Sequence, residues 1–238
     1  MRYSFQGLLL LAICAVASAE GAEVRDLTAK LKSPDSDVRR SAAKELGDLG
    51  TEAKDAVPEL TRALKDRDLF VRRFVAEALG KIGPDARSAI PGLTMAMNDE
   101  RKEVQIAAVE SLGKIGPESI PALTIAIKDL NKDALVRKKA TQALATMGPR
   151  ARGAVPVLTD ILSGKIQSPK ANKKNKNFND DDFRVDVAVA LGALARPEDK
   201  SAISALKSVS EGKQRNKALK KAASQSLRQI NDNKKQTD

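Results

Sequence analysis

Leu79-Gly80-Lys81-Ile82-Gly83-Pro84 decides the fold of this chain, because the same six residues return 33 residues later as Leu112-Gly113-Lys114-Ile115-Gly116-Pro117. A glycine pair around a lysine can cradle a phosphate, but it can also end a helix. A fixed spacing of this length is typical of repeat architectures. The spacing predicts six units, because related stretches continue the series at Glu45–Gly50, Ala143–Gly148, Ala190–Leu194 and Ser226–Ile230.

Two further markers recur at fixed places within the units. A Pro-x-Leu-Thr stretch opens the first helix, where proline is tolerated because the N–H group it lacks would have no partner. An Asp-x-x-apolar-Arg stretch precedes the second helix, and its aspartate is a good N-cap. Arg101 breaks this pattern in the third unit, where we expect the neighbouring Asp99 to cap instead. The first marker lies at Pro58, Pro91, Pro121 and Pro156, and the second at Asp35, Asp68, Asp133 and Asp180, with a looser copy at Asn216.

Apolar residues follow the second marker at helical spacing, as in Val71, Val75, Leu79 and Ile82. One helix pair cannot bury such a stripe alone, whereas stacked pairs bury it between neighbours. The sequence therefore predicts an all-α protein, with Leu79 buried between the second and third units. The predicted helix pairs are 23–33 and 36–49, 54–66 and 69–82, 86–98 and 101–115, 118–129 and 133–147, 151–163 and 181–195, and 197–211 and 215–231.

The three markers together resemble the HEAT repeat, in the short form named after phycobilisome lyase subunits. The resemblance covers about residues 24–231. It implies an α-solenoid, a right-handed superhelix of about six HEAT-like helix pairs. Gly83 and Gly116 fall just past the last periodic residue of their helices, so we interpret them as left-handed C-caps and not as a phosphate loop.

The family that these markers resemble includes scaffolds, lyase chaperones and a metal-dependent hydroxylase. The hydroxylase branch binds iron through His-Glu pairs early in its second helices. The lyase branch works in the cytoplasm, which disagrees with an export signal. We therefore predict no enzymatic activity and no cofactor, because the positions that match the iron ligands read Arg40-Ser41, Arg73-Phe74, Ile106-Ala107 and Lys138-Lys139.

Residues 1–19 have the features of a secretory signal peptide: Arg2 near the start, an apolar run over Leu8–Val16, and the cleavage signal Ala17-Ser18-Ala19. The apolar run is too short to span a bilayer. We expect an exported protein, periplasmic or secreted, that begins at Glu20 after cleavage and has no transmembrane segment.

Composition narrows the chemistry of the mature chain. The 238 residues include no histidine, and the one cysteine, Cys14, lies in the predicted signal peptide. Disulfides, thiolate nucleophiles, imidazole bases and the common zinc sites are thereby excluded.

We assign residues 20–231 to the solenoid and 232–238 to a disordered tail.

Positive charge is concentrated towards the C-terminus. Residues 20–160 carry 24 Lys+Arg against 22 Asp+Glu, and residues 161–238 carry 17 against 9. This excess permits an anionic polymer as partner, although no aromatic residues interleave the lysines, so a nucleic acid is a poor candidate. A terminal capping repeat also needs a polar outer face, and we favour that interpretation.

One stripe of the second helices is the candidate binding face. Residues two, six and ten positions after the marker valine share a side, and in the resembling family this side lines the concave surface. In the fifth unit the stripe is apolar, beside a predicted flexible insertion at 164–182. Either the insertion folds back and covers the valines, or the stripe anchors a partner, which we favour. The candidate partner-binding residues are Arg40, Arg73, Glu77, Lys138, Val185, Val189 and Phe178.

The arginines that directly follow the marker valines have a structural interpretation. We expect Arg39, Arg72 and Arg137 to pair with aspartates of adjacent units and to stabilise the stack. For the whole protein we expect a non-enzymatic scaffold that binds another protein. The alternative is a binder of an anionic polymer or envelope surface through the basic C-terminal third. A third function, as accessory factor for a cofactor-attaching enzyme, rests on the resemblance alone.

Overall fold

The computed structural model describes residues 21–129, 132–166, 180–212 and 216–235. All regular elements within these ranges are helical, as the sequence predicts. They form six pairs, each with a first and a second helix. The α-helices are α1 (21–30), α2 (Ser36–Leu49), α3 (Val57–Ala63), α4 (Leu69–Ile82), α5 (Ile90–Ala96), α6 (Lys102–Ile115), α7 (Ile120–Lys128), α8 (Ala134–Met147), α9 (Val155–Leu162), α10 (Asp180–Leu194), α11 (Lys200–Glu211) and α12 (Lys217–Lys235).

The second helices begin largely where the marker predicts. Asp68 accepts hydrogen bonds from the backbone N–H groups of Phe70 and Val71 and so caps α4. Asn216 likewise accepts from the N–H of Leu219. The predicted cap at Asp99 is wrong: its carboxylate accepts from the N–H of Arg101, before α6 begins, and α6 has no side-chain cap. The other capping bonds run from the N–H of Asp37 to Asp35 and from the N–H of Leu135 to Asp133.

Glycine ends four of the second helices, which confirms that the repeated Gly-Lys-Ile-Gly stretch is a helix end. The N–H of Gly83 bonds the carbonyl oxygen of Leu79, and the backbone of Gly83 has φ 73° and ψ −136°. A left-handed helical residue would have ψ near about +47°. The prediction of a positive φ was therefore correct. The value of ψ, however, lies outside the left-handed helical region, in a region that only glycine enters readily. A 3-10 helix follows, over Gly83–Ala89, and leads into α5.

The second helices pack against one another far more extensively than the first helices do. A small residue and a glycine meet at the crossing point: a Cβ added to Gly47 would lie 2.9 Å from the Cα of Ala78, and one added to Gly113 would lie 2.8 Å from the Cβ of Ala143. This asymmetry is expected of a solenoid that curves towards its second helices. We therefore take the second-helix row as the inner side.

The core between the units is built from the leucines that the period aligns. Leu46, Leu79, Leu112, Leu144 and Leu191 are all fully buried, as predicted for Leu79. Packing of these side chains, and not disulfide bonding, holds the units together.

The two ends of the described stack differ from its middle at the crossing point. In the first unit, the exposed Glu45 stands at the position that Ala78 occupies in the second unit. In the last unit, the exposed Arg228 stands at the position of the crossing glycine. Large charged side chains at these two positions are expected of terminal units, which need a polar outer face. The last helix runs to Lys235, so residues 232–235 are helical and the tail assigned to 232–238 was placed too early.

Candidate protein-binding face

The arginines after the marker valines join neighbouring units, as predicted for Arg39 and Arg72. Arg39 donates from Nε and Nη2 to the two carboxylate oxygens of Asp66, at 2.7 and 2.8 Å. Arg72 does the same to Asp99, at 2.7 and 2.9 Å. Both arginines are buried, and their Nη1 atoms donate to backbone carbonyls such as that of Ser33. These groups are structural because their charges and donors are satisfied inside the stack.

The electrostatics of the Arg39–Asp66 pair agree with that role. Burial raises the pKa of the Asp66 carboxyl, but the hydrogen bonds from Arg39 and from the N–H of Asp68 outweigh it, and the pKa lies below its ordinary value. The same pairing raises the pKa of Arg39. For Arg137, the third of these arginines, Nε donates to the carbonyl oxygen of Ile127, and the guanidinium lies 4.3 Å from the centre of the Phe183 ring.

Arg40, a candidate binding residue, also reaches the next unit. It donates from Nε and Nη2 to the two carboxylate oxygens of Asp68, at 2.9 and 2.6 Å, and from Nη1 to Asp37 at 2.9 Å. The hydrogen bond from Arg40, aided by those from the first N–H groups of α4, holds the pKa of Asp68 far below its ordinary value. Three nitrogen atoms of Arg40 are thus engaged with carboxylates.

Arg73, at the equivalent position of the second unit, is held differently. Its guanidinium lies 4.6 Å from the ring centre of Phe74 and 5.9 Å from that of Phe70. Its Nε lies 3.3 Å from a carboxylate oxygen of Glu77. That contact lacks the direction of a hydrogen bond, and within the described ranges the buried Nε has no hydrogen-bond partner. Arg73 and Glu77 therefore lie next to each other, and the rings of Phe74 and Phe70 lie against the Arg73 guanidinium.

Sequence reasoning missed Phe70 and Phe74 as members of this face. Phe70 is 42% exposed, and the Arg40 guanidinium lies 4.9 Å from its ring centre. A signal was present, because the chain has only five phenylalanines and two of them stand four apart on one helix.

Lys138 and the valines of the fifth unit lie near one another. Lys138 forms an ion pair across the unit boundary with Asp186, at 3.7 Å. Burial raises the pKa of the Asp186 carboxyl, and Lys138 only partly opposes it. Val185 is half-buried against the core, while Val189 is 51% exposed. Phe178 lies outside the described residues, so the described part of the predicted stripe consists of Val185, Val189 and the partly buried Ala193.

Other charges of this face pair between units rather than remaining isolated. Lys81 reaches Asp48 of the preceding unit at 2.6 Å, and Lys139 reaches Glu110 at 2.7 Å. Within the described ranges, no group of three or more acidic, histidine or cysteine side chains is placed to hold a metal. None of the described helices is long and apolar enough to cross a membrane.

Paired helices, capping aspartates, crossing glycines and inter-unit ion pairs define an α-solenoid. The family model described as HEAT repeats matches residues 24–102 and 90–167. The chain belongs to the HEAT-repeat family. No protein with a curated description matches it.

Solved structures of repeat proteins share the fold. Importin beta is 14% identical, with a TM-score of 0.61, over 87% of this chain and 30% of its own. A designed armadillo repeat protein in complex with the peptide (KR)4 is 18% identical, with a TM-score of 0.57, over 86% of this chain and 98% of its own. The complex of CpcE and CpcF of phycocyanin lyase from Nostoc sp. PCC7120 is 23% identical over 86% of this chain and 93% of its own, but its TM-score is only 0.46.

Proposed function

We propose that this protein is an exported, non-enzymatic scaffold that binds an extended segment of another protein on the inner, second-helix side of its solenoid. The observation that carries the proposal is the exposure of large apolar side chains among the paired charges of that side. Phe70 and Val189 are 42% and 51% exposed there. The Phe70 ring lies against the guanidinium groups of Arg40 and Arg73, and aromatic and arginine side chains are enriched at protein interfaces.

The fold supports the same function. Stacked repeats create an extended inner surface that suits a partner in an elongated conformation. The designed armadillo protein with a similar fold is in complex with a peptide, (KR)4. The partner of the present chain is expected to differ in chemistry, because the face described here carries arginine and phenylalanine.

The test is capture of the partner by the mature chain, residues 20–238, from the envelope fraction of its own cells. Phe70→Asp and Val189→Asp should each reduce the captured amount at least about tenfold, because a charge enters an apolar contact. Met95 and Ile125 are matched controls, since they are 59% and 60% exposed but lie on first helices. Met95→Asp and Ile125→Asp should leave capture unchanged. The reverse pattern would place the binding surface on the first-helix side.

Export is a part of this proposal that rests on residues 1–19. Mass spectrometry of the protein isolated from cells should find Glu20 as its first residue. A chain that retains Met1 and stays in the cytoplasm would contradict export but not scaffold function.

A second candidate function is binding of an anionic polymer through the C-terminal end. It is favoured by the exposed basic residues of α12, among them Lys217, Lys221 and Arg228. Such binding should weaken steeply as salt is added, because counterions compete for the lysines and arginines. The protein-binding scaffold should show a much weaker dependence on salt.

A further inference from the structure

The first junction between units has two arginine–aspartate pairs, Arg39–Asp66 and Arg40–Asp68. Between the second and third units, Arg72 still pairs with Asp99, but a charge reversal takes the place of the second pair. At the first junction, Arg40 binds both carboxylate oxygens of Asp68, the N-cap residue of α4. At the next junction the same two positions are occupied by Arg73 and Arg101, because Arg101 is the N-cap residue of α6. A second cation therefore stands where the repeat would place the aspartate that pairs with Arg73.

Arg73 keeps its hydrogen-bonding groups unused in this setting. Phe74 and Phe70 support its guanidinium at 4.6 and 5.9 Å, which restricts an otherwise flexible side chain. The nearest carboxylate within the described residues, that of Glu77, makes no hydrogen bond to it. A planar guanidinium that is held in place loses less side-chain entropy when it binds a carboxylate, so Arg73, whose side chain is 33% exposed, is prepared for one.

We propose that Arg73 and Arg101 form the anchor for an acidic segment of the protein partner, in which an aspartate or glutamate lies beside an apolar side chain. The partner's carboxylate would supply the acidic group that Asp68 supplies at the first junction. It would bind the Nη groups of Arg73, because the Arg73 Nε is buried. Phe70, which is 42% exposed next to Arg73, would receive the apolar side chain. This inference rests on the proposed function, since it specifies the partner chemistry for the same face.

The surrounding charges select a peptide carboxylate over a polyanion. Two carboxylates belong to the same elements as the anchor: Glu77 lies 3.3 Å from the Nε of Arg73, and Glu103 lies in the first turn of α6, two residues after Arg101. A chain of closely spaced phosphates would meet these two carboxylates and be repelled, whereas a single well-placed aspartate would avoid them.

The test uses the mature chain and a fluorescently labelled peptide of alternating aspartate and leucine residues, titrated by anisotropy. Peptides with asparagine or lysine in place of aspartate serve as comparison probes, and only the aspartate peptide should bind. Arg73→Gln should weaken that binding about tenfold, the usual effect of losing a charge-assisted hydrogen-bonded pair.

Arg101→Asp is the decisive variant. Its introduced carboxylate should pair with Arg73 as Asp68 pairs with Arg40, so the acidic peptide should be displaced at least about tenfold while Tm stays equal or rises. Arg87→Asp, which makes the same change of charge at an exposed arginine in the 3-10 helix between α4 and α5, is the charge-matched control and should bind normally. Equal binding of the aspartate and asparagine peptides, or full affinity in the Arg101→Asp variant, would overturn the anchor.

The capture experiment distinguishes this anchor from the function as a whole. Capture that depends on Phe70 and Val189 but not on Arg73 or Arg101 would overturn the anchor and leave the scaffold function standing. Capture that is indifferent to all four residues would overturn both. Binding of polyphosphate that survives Arg101→Asp would belong to the basic C-terminal end.

Discussion

Gly80 of α4 lies so close to Ser111 of α6 that a Cβ on the glycine would stand 2.5 Å from the serine hydroxyl oxygen. That hydroxyl donates a hydrogen bond of 2.6 Å to the carbonyl oxygen of Ala76, in the turn before Gly80. The same arrangement returns where Ser226 donates to Ala188 and faces Gly192. The first glycine of the repeated Leu-Gly-Lys-Ile-Gly stretch therefore allows two inner helices to approach, while the second glycine ends the helix.

Gly80→Ala should destabilise the fold by roughly 1–3 kcal/mol, because the added methyl group forces α4 and α6 apart. Denaturant unfolding followed by circular dichroism measures the change. Gly153→Ala is the control, since a Cβ there would meet its nearest neighbour, a methyl carbon of Ile120, at an ordinary 3.8 Å. Equal stability of the two variants would show that the helices are not in close contact at Gly80.

Substitution of Gly83 tests the effect of backbone conformation alone, because a Cβ added there would have no other atom within 4 Å. Gly83→Ala should nevertheless cost on the order of 1–3 kcal/mol through the strained backbone alone. Gly83→Asn should be no better than alanine, since asparagine tolerates the left-handed helical region and ψ here is −136°. Thermal unfolding of both variants decides the matter, and recovery of stability by asparagine would mean that Gly83 is an ordinary left-handed cap.

The Arg39–Asp66 pair should make stability depend on acid pH. The folded-state pKa of Asp66 lies below its ordinary value, so the folded state favours the ionised carboxylate. Its contribution is present above the unfolded pKa of about 4 and is lost as pH falls from there through the lower folded pKa. Asp66→Asn should lower stability at pH 7 and flatten the loss of stability below about pH 4.

A pH titration of Tm for both forms gives the measurement. Asp26→Asn changes an exposed aspartate that pairs with Lys30 of its own helix, and this control should keep the slope of the unmodified protein. A slope that Asp66→Asn leaves unchanged would assign the acid sensitivity to other carboxyls.

Val189→Asp should leave the free energy of unfolding within about 0.5 kcal/mol of that of the unmodified protein, since Val189 is 51% exposed and surface changes of this kind are small. The same variant should lose partner binding. A large fall in Tm would instead support the alternative in which the 164–182 insertion covers the valines.

The regular part of this structure could be predicted from the sequence because each helix is specified locally. The aspartate caps, the prolines and the buried leucines such as Leu79 all act within one unit or repeat at a fixed spacing. Contacts that depend on how helices cross could not be predicted as well. The pairing of Gly80 with Ser111 and the negative ψ of Gly83 follow from the packing distance and turn geometry, which no single stretch of sequence specifies.

The candidate site was predicted in part for the same reason. The stripe containing Arg73 and Glu77 follows from helical periodicity, whereas the stacking of Arg73 on Phe74 depends on side-chain rotamers. The sequence showed that Arg101 breaks the marker. That Arg101 stands where a partner of Arg73 is expected became clear only from the structure, in which Arg40 binds Asp68 across the unit boundary. Phe178 and residues 1–19 lie outside the described residues, so the predictions made for them stay predictions.

The close approach of Gly80 to Ser111 recurs at neighbouring junctions, as between Gly113 and Ala143, so we expect that one inner unit can be removed as a module. Removal of residues 84–116 would delete one complete unit and join Gly83 to Pro117, which reproduces the natural Gly116–Pro117 junction. Gly80 would then face Ala143, the small residue that Gly113 faces in the full-length chain. Arg73 would likewise meet Asp133, the capping aspartate of α8. We expect this five-unit protein to fold cooperatively while lacking the arginine pair, so that shortening the array would remove one recognition element without exposing a core.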